Sequence, residues 1–360
     1  MSESLTALQT QLWLSMVQQC CRAEDISFDE LARAALLDIA RPRGLPPSLT
    51  LYQLDRLLLA VERHLKDKGR GLFVAMLVLD FDRVMGHGPV LSAKQTLGAA
   101  GEYLLRYLPH MHPGYAGEME LMEDGSCLAR LRISHVRASA RHCHQLILSG
   151  FVINLLQRFP GQEQDGARVH EVRLPSALIQ SHPELSAWQV PLQVDEEWLA
   201  VRGDSRMLAR EAPNYSAGME DALQRILDVI LQQDCVIDHQ PSRVVDVLLE
   251  HVESGRRAGL PDIALALGIK QRTLQHHLNQ EGLSFNRLRG QVQAHVACDL
   301  IARGCSTDEI VTSLGYSSRS AFHHAFTRIT GQRPAQVRRN LRSQLPEPPC
   351  AGKAPPPRAL

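Results

Sequence analysis

No apolar run in this 360-residue chain approaches the ~20 residues that a membrane-spanning helix needs, so no membrane partner is expected. The opening stretch "MSESLTALQTQLWLS" has no basic segment leading into an apolar block, which speaks against a secretory signal. C-x-x-C spacing is absent too. The eight cysteines, Cys20, Cys21, Cys127, Cys143, Cys235, Cys298, Cys305 and Cys350, are scattered. In a chain this long, that pattern favours free thiols in a reducing cytoplasm over a disulfide framework. Neither a G-x-S-x-G elbow nor a G-x-x-x-x-G-K-S/T phosphate loop occurs. No enzyme activity, cofactor or resident metal is therefore expected. Net charge is missing as well, with 39 basic and 39 acidic residues, which at first argues against a nucleic-acid partner.

The charge is unevenly placed, however. Residues 241–345 carry 14 Lys and Arg against 8 Asp and Glu, a balance of +6. The tail 346–360 adds +1, and the first 240 residues carry −7. This asymmetry fits a basic DNA-binding module on an acidic body.

The N-terminal body, residues 1–237, reads as α+β: helices with a small antiparallel sheet. Helices are expected at about 3–21, 28–39, 48–68, 93–108, 138–158 and 216–232, by apolar periodicity. "GEMELMEDGSCLARLRIS" (117–134) reads as a β-hairpin around "EDG", and 167–175 and 188–203 add strands. "DHQPS" (238–242) is the expected linker. Residues 243–343 read as an all-α domain, and the Pro-rich segment 344–360 as a disordered tail. Within the all-α domain, Ser284 is a candidate N-cap for a long helix over 284–304. Ser306 with Glu309 forms a candidate capping box.

Two His-His pairs stand out, in "LQHHLNQ" (274–280) and "AFHHAFT" (321–327). They suggest either a split metal site or one unit used twice. Adjacent side chains on a helix diverge by about 100°, so neither pair chelates easily. A solvated helix face is the bland alternative, and a DNA-facing role for at least His276 or His324 is the favoured reading. The surroundings favour duplication. Ile263, Leu267 and Gly268 correspond to Ile310, Leu314 and Gly315 at an offset of 47. Leu274 and Leu278 correspond to Phe322 and Phe326 at 48, so the second turn holds one more residue. Each unit is a short helix, a Gly turn and a second helix with apolar residues at i and i+4, a helix-turn-helix pattern.

Residues 243–340 resemble the DNA-binding domain of the AraC/XylS family of transcription regulators, which joins two helix-turn-helix units by a long helix. The resemblance is carried by Glu309-Ile310, Leu314-Gly315-Tyr316, Ser317, Ser320, Phe322, Ala325-Phe326, Gly331, Pro334 and Arg338. The preceding region resembles the effector domain of arabinose-binding-type members, through "KQTLGAAGEYLLRYLP" (94–109), the hairpin and "PLQVDEEWLAVRGDSRMLA" (191–209). The resemblance implies a sequence-specific regulator of promoter DNA, with a small-molecule effector, RNA polymerase and a second copy of the chain as further partners. It sets Gln271, Arg272, Gln275, His276 and Asn279 of the first recognition helix against DNA. In the second it nominates Ser318, Arg319, Ser320, His323 and His324; Arg328, Arg333, Arg338 and Arg339 are candidates for phosphate contact, with an ordinary surface salt bridge as the alternative for each.

The chain departs from the family at four positions. Val311 stands where Ala is usual, which calls for repacking at a helix crossing. His276, His324 and Gln293 stand where Arg is common. A neutral His cannot make the bidentate contact of Arg to guanine, so a shifted sequence preference or weaker phosphate contact is expected.

Rival classes have thinner support. "RHCHQL" (141–146) holds His142, Cys143 and His144, a thiol or metal sensor in outline, but consecutive helical residues fan apart. Alkylation-repair proteins that carry this kind of DNA-binding domain need a four-Cys zinc site and a Pro-Cys-His-Arg motif, and neither is here. The N-terminal domain could also serve for dimerisation or protein interaction alone.

Overall fold

The computed structural model describes residues 4–37, 48–68, 71–72, 75, 90–91, 93–134, 136–159, 166–181, 190–195, 199–213, 215–233 and 240–343. The chain divides into two compact units, Met1–Arg243 and Val244–Leu360. The expected tail at 344–360 and residues 238–239 of the expected linker lie outside the described residues.

In the first unit, two helices begin where a Thr precedes a Gln by three residues. Helix α1 (Ala7–Glu24) starts at Thr6, whose hydroxyl accepts from the Gln9 amide while the Gln9 side chain accepts from the Thr6 amide. Helix α3 (Leu51–Asp67) repeats this box with Thr50 and Gln53. Between them lies α2 (Phe28–Ala34), shorter than expected. Helix α4 (Leu97–Met111) leads into the hairpin β1 (Tyr115–Leu121) and β2 (Ser126–Ile133), paired from Tyr115↔Ile133 to Leu121↔Cys127. Helix α5 (Arg141–Arg158), β3 (Val169–Leu174), α6 (Ser176–Ser181), β4 (Leu192–Val194), β5 (Leu199–Asp204) and a 3-10 turn (Ser205–Ala209) follow. Helix α7 (Ala217–Gln233) is the last element described wholly within the unit.

The sheet runs β1-β2-β5-β3-β4 and is mixed. The expectation of an antiparallel sheet needs correcting at one edge, where β3 and β4 pair in parallel, Val172 opposite Leu192. A parallel neighbour needs a crossover connection, and the segment from β3 to β4 includes α6. One face of the sheet packs on α4 and α5 around a core that includes Leu104, Leu131, Leu155 and Leu199, all buried.

Among the described residues the second unit holds only helices: α8 (Gln240–Glu253), which begins just before the unit boundary, α9 (Leu260–Ala266), α10 (Gln271–Gln280), α11 (Phe285–Ala302), α12 (Thr307–Ser313), α13 (Arg319–Thr330) and α14 (Pro334–Ser343). Residues 240–242 of the expected linker are the first turn of α8. Helix α11 starts at Ser284, whose hydroxyl accepts from the Arg287 amide. Helix α12 starts at Ser306 in a full capping box with Glu309.

Candidate nucleic-acid interface

Helices α9 and α10, then α12 and α13, are two versions of one motif. In each, the short first helix stops at a glycine with a left-handed backbone, Gly268 at φ 69° and Gly315 at φ 68°. Only glycine adopts this conformation without strain. The closing bonds match. Ile269 donates to the Ala264 carbonyl and Gly268 to that of Leu265, while Tyr316 donates to Val311 and Gly315 to Thr312. The turn is thus fixed by backbone bonds at the end of the first helix.

The inner faces are filled as the repeat requires. Ile263, Leu274 and Leu278 in the first unit and Ile310, Phe322 and Phe326 in the second are each at most 1% exposed. Phe322 packs against Phe326 with ring centroids 5.5 Å apart and edge-on to Tyr316 at 5.5 Å. This burial turns the remaining positions outward. Gln271, Arg272, Gln275, His276 and Asn279 are all exposed on α10. So are Ser318, Arg319, Ser320, His323 and His324 on or beside α13.

Three of the nominated residues have internal partners. The Ser318 hydroxyl caps α13 by accepting from the Ala321 amide at 3.1 Å. The Arg319 guanidinium forks onto the Asp308 carboxylate of α12 through two nitrogens. That hydrogen-bonded pairing pulls the Asp308 carboxyl below the usual range and pushes Arg319 up. Arg338 is half-buried and donates to the Cys305 carbonyl, just past the end of α11, at 2.6 Å.

The His142-Cys143-His144 run does not converge on one site: the Cys143 thiol lies 3.4 Å from His142 Nε2, while His144 turns to other partners. His144 is fully buried between the Tyr115 hydroxyl, 2.6 Å from Nδ1, and the Asp55 carboxylate, 2.8 Å from Nε2. The second Asp55 oxygen accepts from the Arg137 amide at 3.0 Å. Burial, then the Asp55 charge, drives the Tyr115 hydroxyl well above its ordinary pKa. Burial likewise pushes up the Cys143 thiol, which makes it a poor thiolate ligand. Among the described residues, no three His, Cys, Asp or Glu converge to hold a metal ion.

A family model described as a helix-turn-helix domain matches residues 263–340, from the first turn of α9 into α14. The C-terminal domain is an AraC-type helix-turn-helix domain. Over 88 residues the chain is 38% identical to an uncharacterized HTH-type transcriptional regulator of Mycobacterium bovis and, equally, to one of Mycobacterium tuberculosis. Those matches cover 24% of this chain and 26% of each relative, so the chain spans about a quarter of the length of the curated relatives it matches. Among solved structures, the transcriptional regulator CdpR from Pseudomonas aeruginosa aligns over 90% of this chain and 96% of its own. Its identity is 17% and its TM-score 0.39, too loose a likeness to argue from.

Two departures of the AraC-type domain find a structural answer. Val311 is only half-buried, whereas its counterpart Ala264 is 1% exposed. The larger side chain lies at the margin of the crossing, and the turn after it closes as in the first unit. Gln293 of α11 donates its amide to the Leu314 carbonyl at 3.1 Å and accepts from the Tyr316 hydroxyl at 3.3 Å. It braces the second turn from behind. Sequence reasoning missed this brace and the Asp308–Arg319 fork, because neither has a spacing signature.

Proposed function

We propose that this chain is a transcription regulator that binds duplex DNA through both helix-turn-helix units and answers to a small molecule held by its N-terminal domain. The observation that carries the DNA reading is the pair of exposed polar faces on α10 and α13, set by the same turn geometry. Arg272 and Gln275 have the paired donors and acceptors that base edges in the major groove demand. Gln271, His276 and Asn279 flank them. Ser320, His323 and His324 are the corresponding set on α13, and Arg319 joins them on leaving Asp308. The start of α13 at Ser318 offers backbone N–H groups to a phosphate, and Arg338 adds charge nearby. Helix α11 has 18 residues, a span of ~27 Å, against the ~34 Å between successive major-groove faces. One chain would then read two adjacent grooves.

The fragment 240–345 tests this. Expected is a folded fragment whose retention of duplex DNA falls steeply with salt, because phosphate neutralisation releases counterions. A folded fragment with no salt-sensitive retention overturns the reading.

Effector control follows from the size and architecture of the first unit, which exceed what tethering requires. Deleting residues 1–235 is expected to uncouple DNA binding from the inducer. A truncated chain that still responds normally refutes the sensor role. A second role, homodimerisation, is favoured by α7, where Met219, Ile226, Val229 and Ile230 are 41–57% exposed. Work at promoters implies RNA polymerase as a partner and the cytoplasm as the location.

A further inference from the structure

One face of the sheet does not close fully on its helices. A cavity of about 90 Å³ lies between them. Met119, Ala129 and Val201 line it from the sheet, Gly101 and Leu105 from α4, and Leu155 from α5. The 3-10 turn supplies Met207. Every lining side chain is apolar save the Cys127 thiol, and that thiol lies 3.9 Å from the Asp204 carbonyl. A charged or strongly polar group placed here would lose its hydration and find no partner. Cavities walled this way stay dry and take hydrocarbon.

Gly101 makes the space look kept rather than left over. A Cβ built on it would touch only the Met119 sulfur, at 3.9 Å, an ordinary contact. Alanine would fit, shrink the void and strengthen α4, since glycine is the poorer helix former. Close-packed interiors hold few voids of this size.

We propose that this cavity is the effector site and that it takes a short aliphatic group, as a whole small molecule or as the apolar end of a larger one. At about 90 Å³ it is smaller than the ~150 Å³ cavity that holds benzene, which favours a branched or linear alkyl group over an aromatic ring. This deepens the effector reading above and rests on it. The walls give it a route outward. Leu97 and Ala212 bond α4 to the segment after the 3-10 turn, through the Arg210 and Gln95 carbonyls. Lys94 pairs with Glu220 at 3.0 Å, and Gln224 donates to the Tyr107 hydroxyl at 3.0 Å. A ligand that shifts α4 therefore moves the seat of α7, the last described helix before the second unit.

The test uses the full chain, with 3-methylbutanol and n-hexanol as probes and glycerol as the polar control. Ligand-observed NMR is expected to show saturable binding of the two alcohols and none of glycerol. Gly101→Ala should weaken binding at least fivefold, and Ala129→Leu should abolish it; either variant suffices if the other fails to fold. Absence of saturable binding to wild type, or equal binding to a folded variant, overturns the site. Affinity of wild type for duplex DNA is measured with and without saturating 3-methylbutanol. A shift supports the site as an effector site. Binding that the variants lose, with no shift in DNA affinity, upholds the cavity as an aliphatic site and overturns its coupling to DNA.

Discussion

Gln293, midway along the helix that joins the two helix-turn-helix units, holds the Leu314 carbonyl at 3.1 Å. The same side chain accepts from Tyr316, so one amide secures both sides of Gly315. A residue whose departure from Arg suggests a shifted sequence preference or a weaker phosphate contact also has a bracing position inside the domain. Gln293→Ala should lower the stability of the C-terminal domain by about 1–2 kcal/mol, the worth of one or two hydrogen bonds. Denaturant unfolding measures it. Unchanged stability would remove the bracing role.

The Arg319–Asp308 fork has a consequence for DNA. Asp308→Asn frees the guanidinium and removes a negative charge beside the second recognition helix. Duplex affinity is expected to rise, with a salt slope steeper by about one. An unchanged slope would mean that Arg319 does not reach phosphate. The same pair sets a pH dependence. The folded Asp308 carboxyl lies below its ordinary value. Its stabilisation is therefore fully present above the unfolded value, about 3.9, and is lost as pH falls through the lower folded value. Asp308→Asn should flatten that part of the stability profile, read by thermal unfolding across the acid range.

Arg338 has two roles to separate. Its bond to the Cys305 carbonyl ties α14 to the end of α11, and its charge is proposed to face phosphate. Arg338→Ala should lower the unfolding midpoint of the domain and weaken all DNA sequences alike, with a salt slope smaller by about one. A sequence-dependent loss would make it a base reader.

In the first unit, Asp55, His144 and Tyr115 form a buried chain that joins α3, α5 and β1. Removing Asp55 leaves the His144 Nε2 and the Arg137 amide without that partner. Asp55→Ala should cost about 1–3 kcal/mol for each group left unsatisfied, measured by chemical unfolding. A loss under 1 kcal/mol would show that the chain is not structurally important.

The parts that could be read from sequence were those built from neighbours. The offset of 47 that becomes 48 located both turns, because a turn and its two helices lie within some twenty residues. Ser284 and the Ser306–Glu309 box were visible for the same reason. Links between distant residues were not. Asp55 meets His144 across 89 positions, and Gln293 meets Leu314 across 21. The parallel edge of the sheet was hidden because the alternation in 188–203 marks strands but not their direction. The cavity draws its walls from both helices, the sheet and the 3-10 turn, and no local pattern announces a void.

Base-by-base affinity on duplex DNA at fixed salt, for the full chain and for Arg272→Ala, tests the central claim most directly. Wild type should show two blocks of preference about one helical turn apart, one for each recognition helix. Arg272→Ala should cost ~1–3 kcal/mol at the best site and erase preference at one or two base pairs of a single block. A uniform loss with both blocks intact, or a wild-type profile with no preference at all, would contradict sequence reading by the first helix.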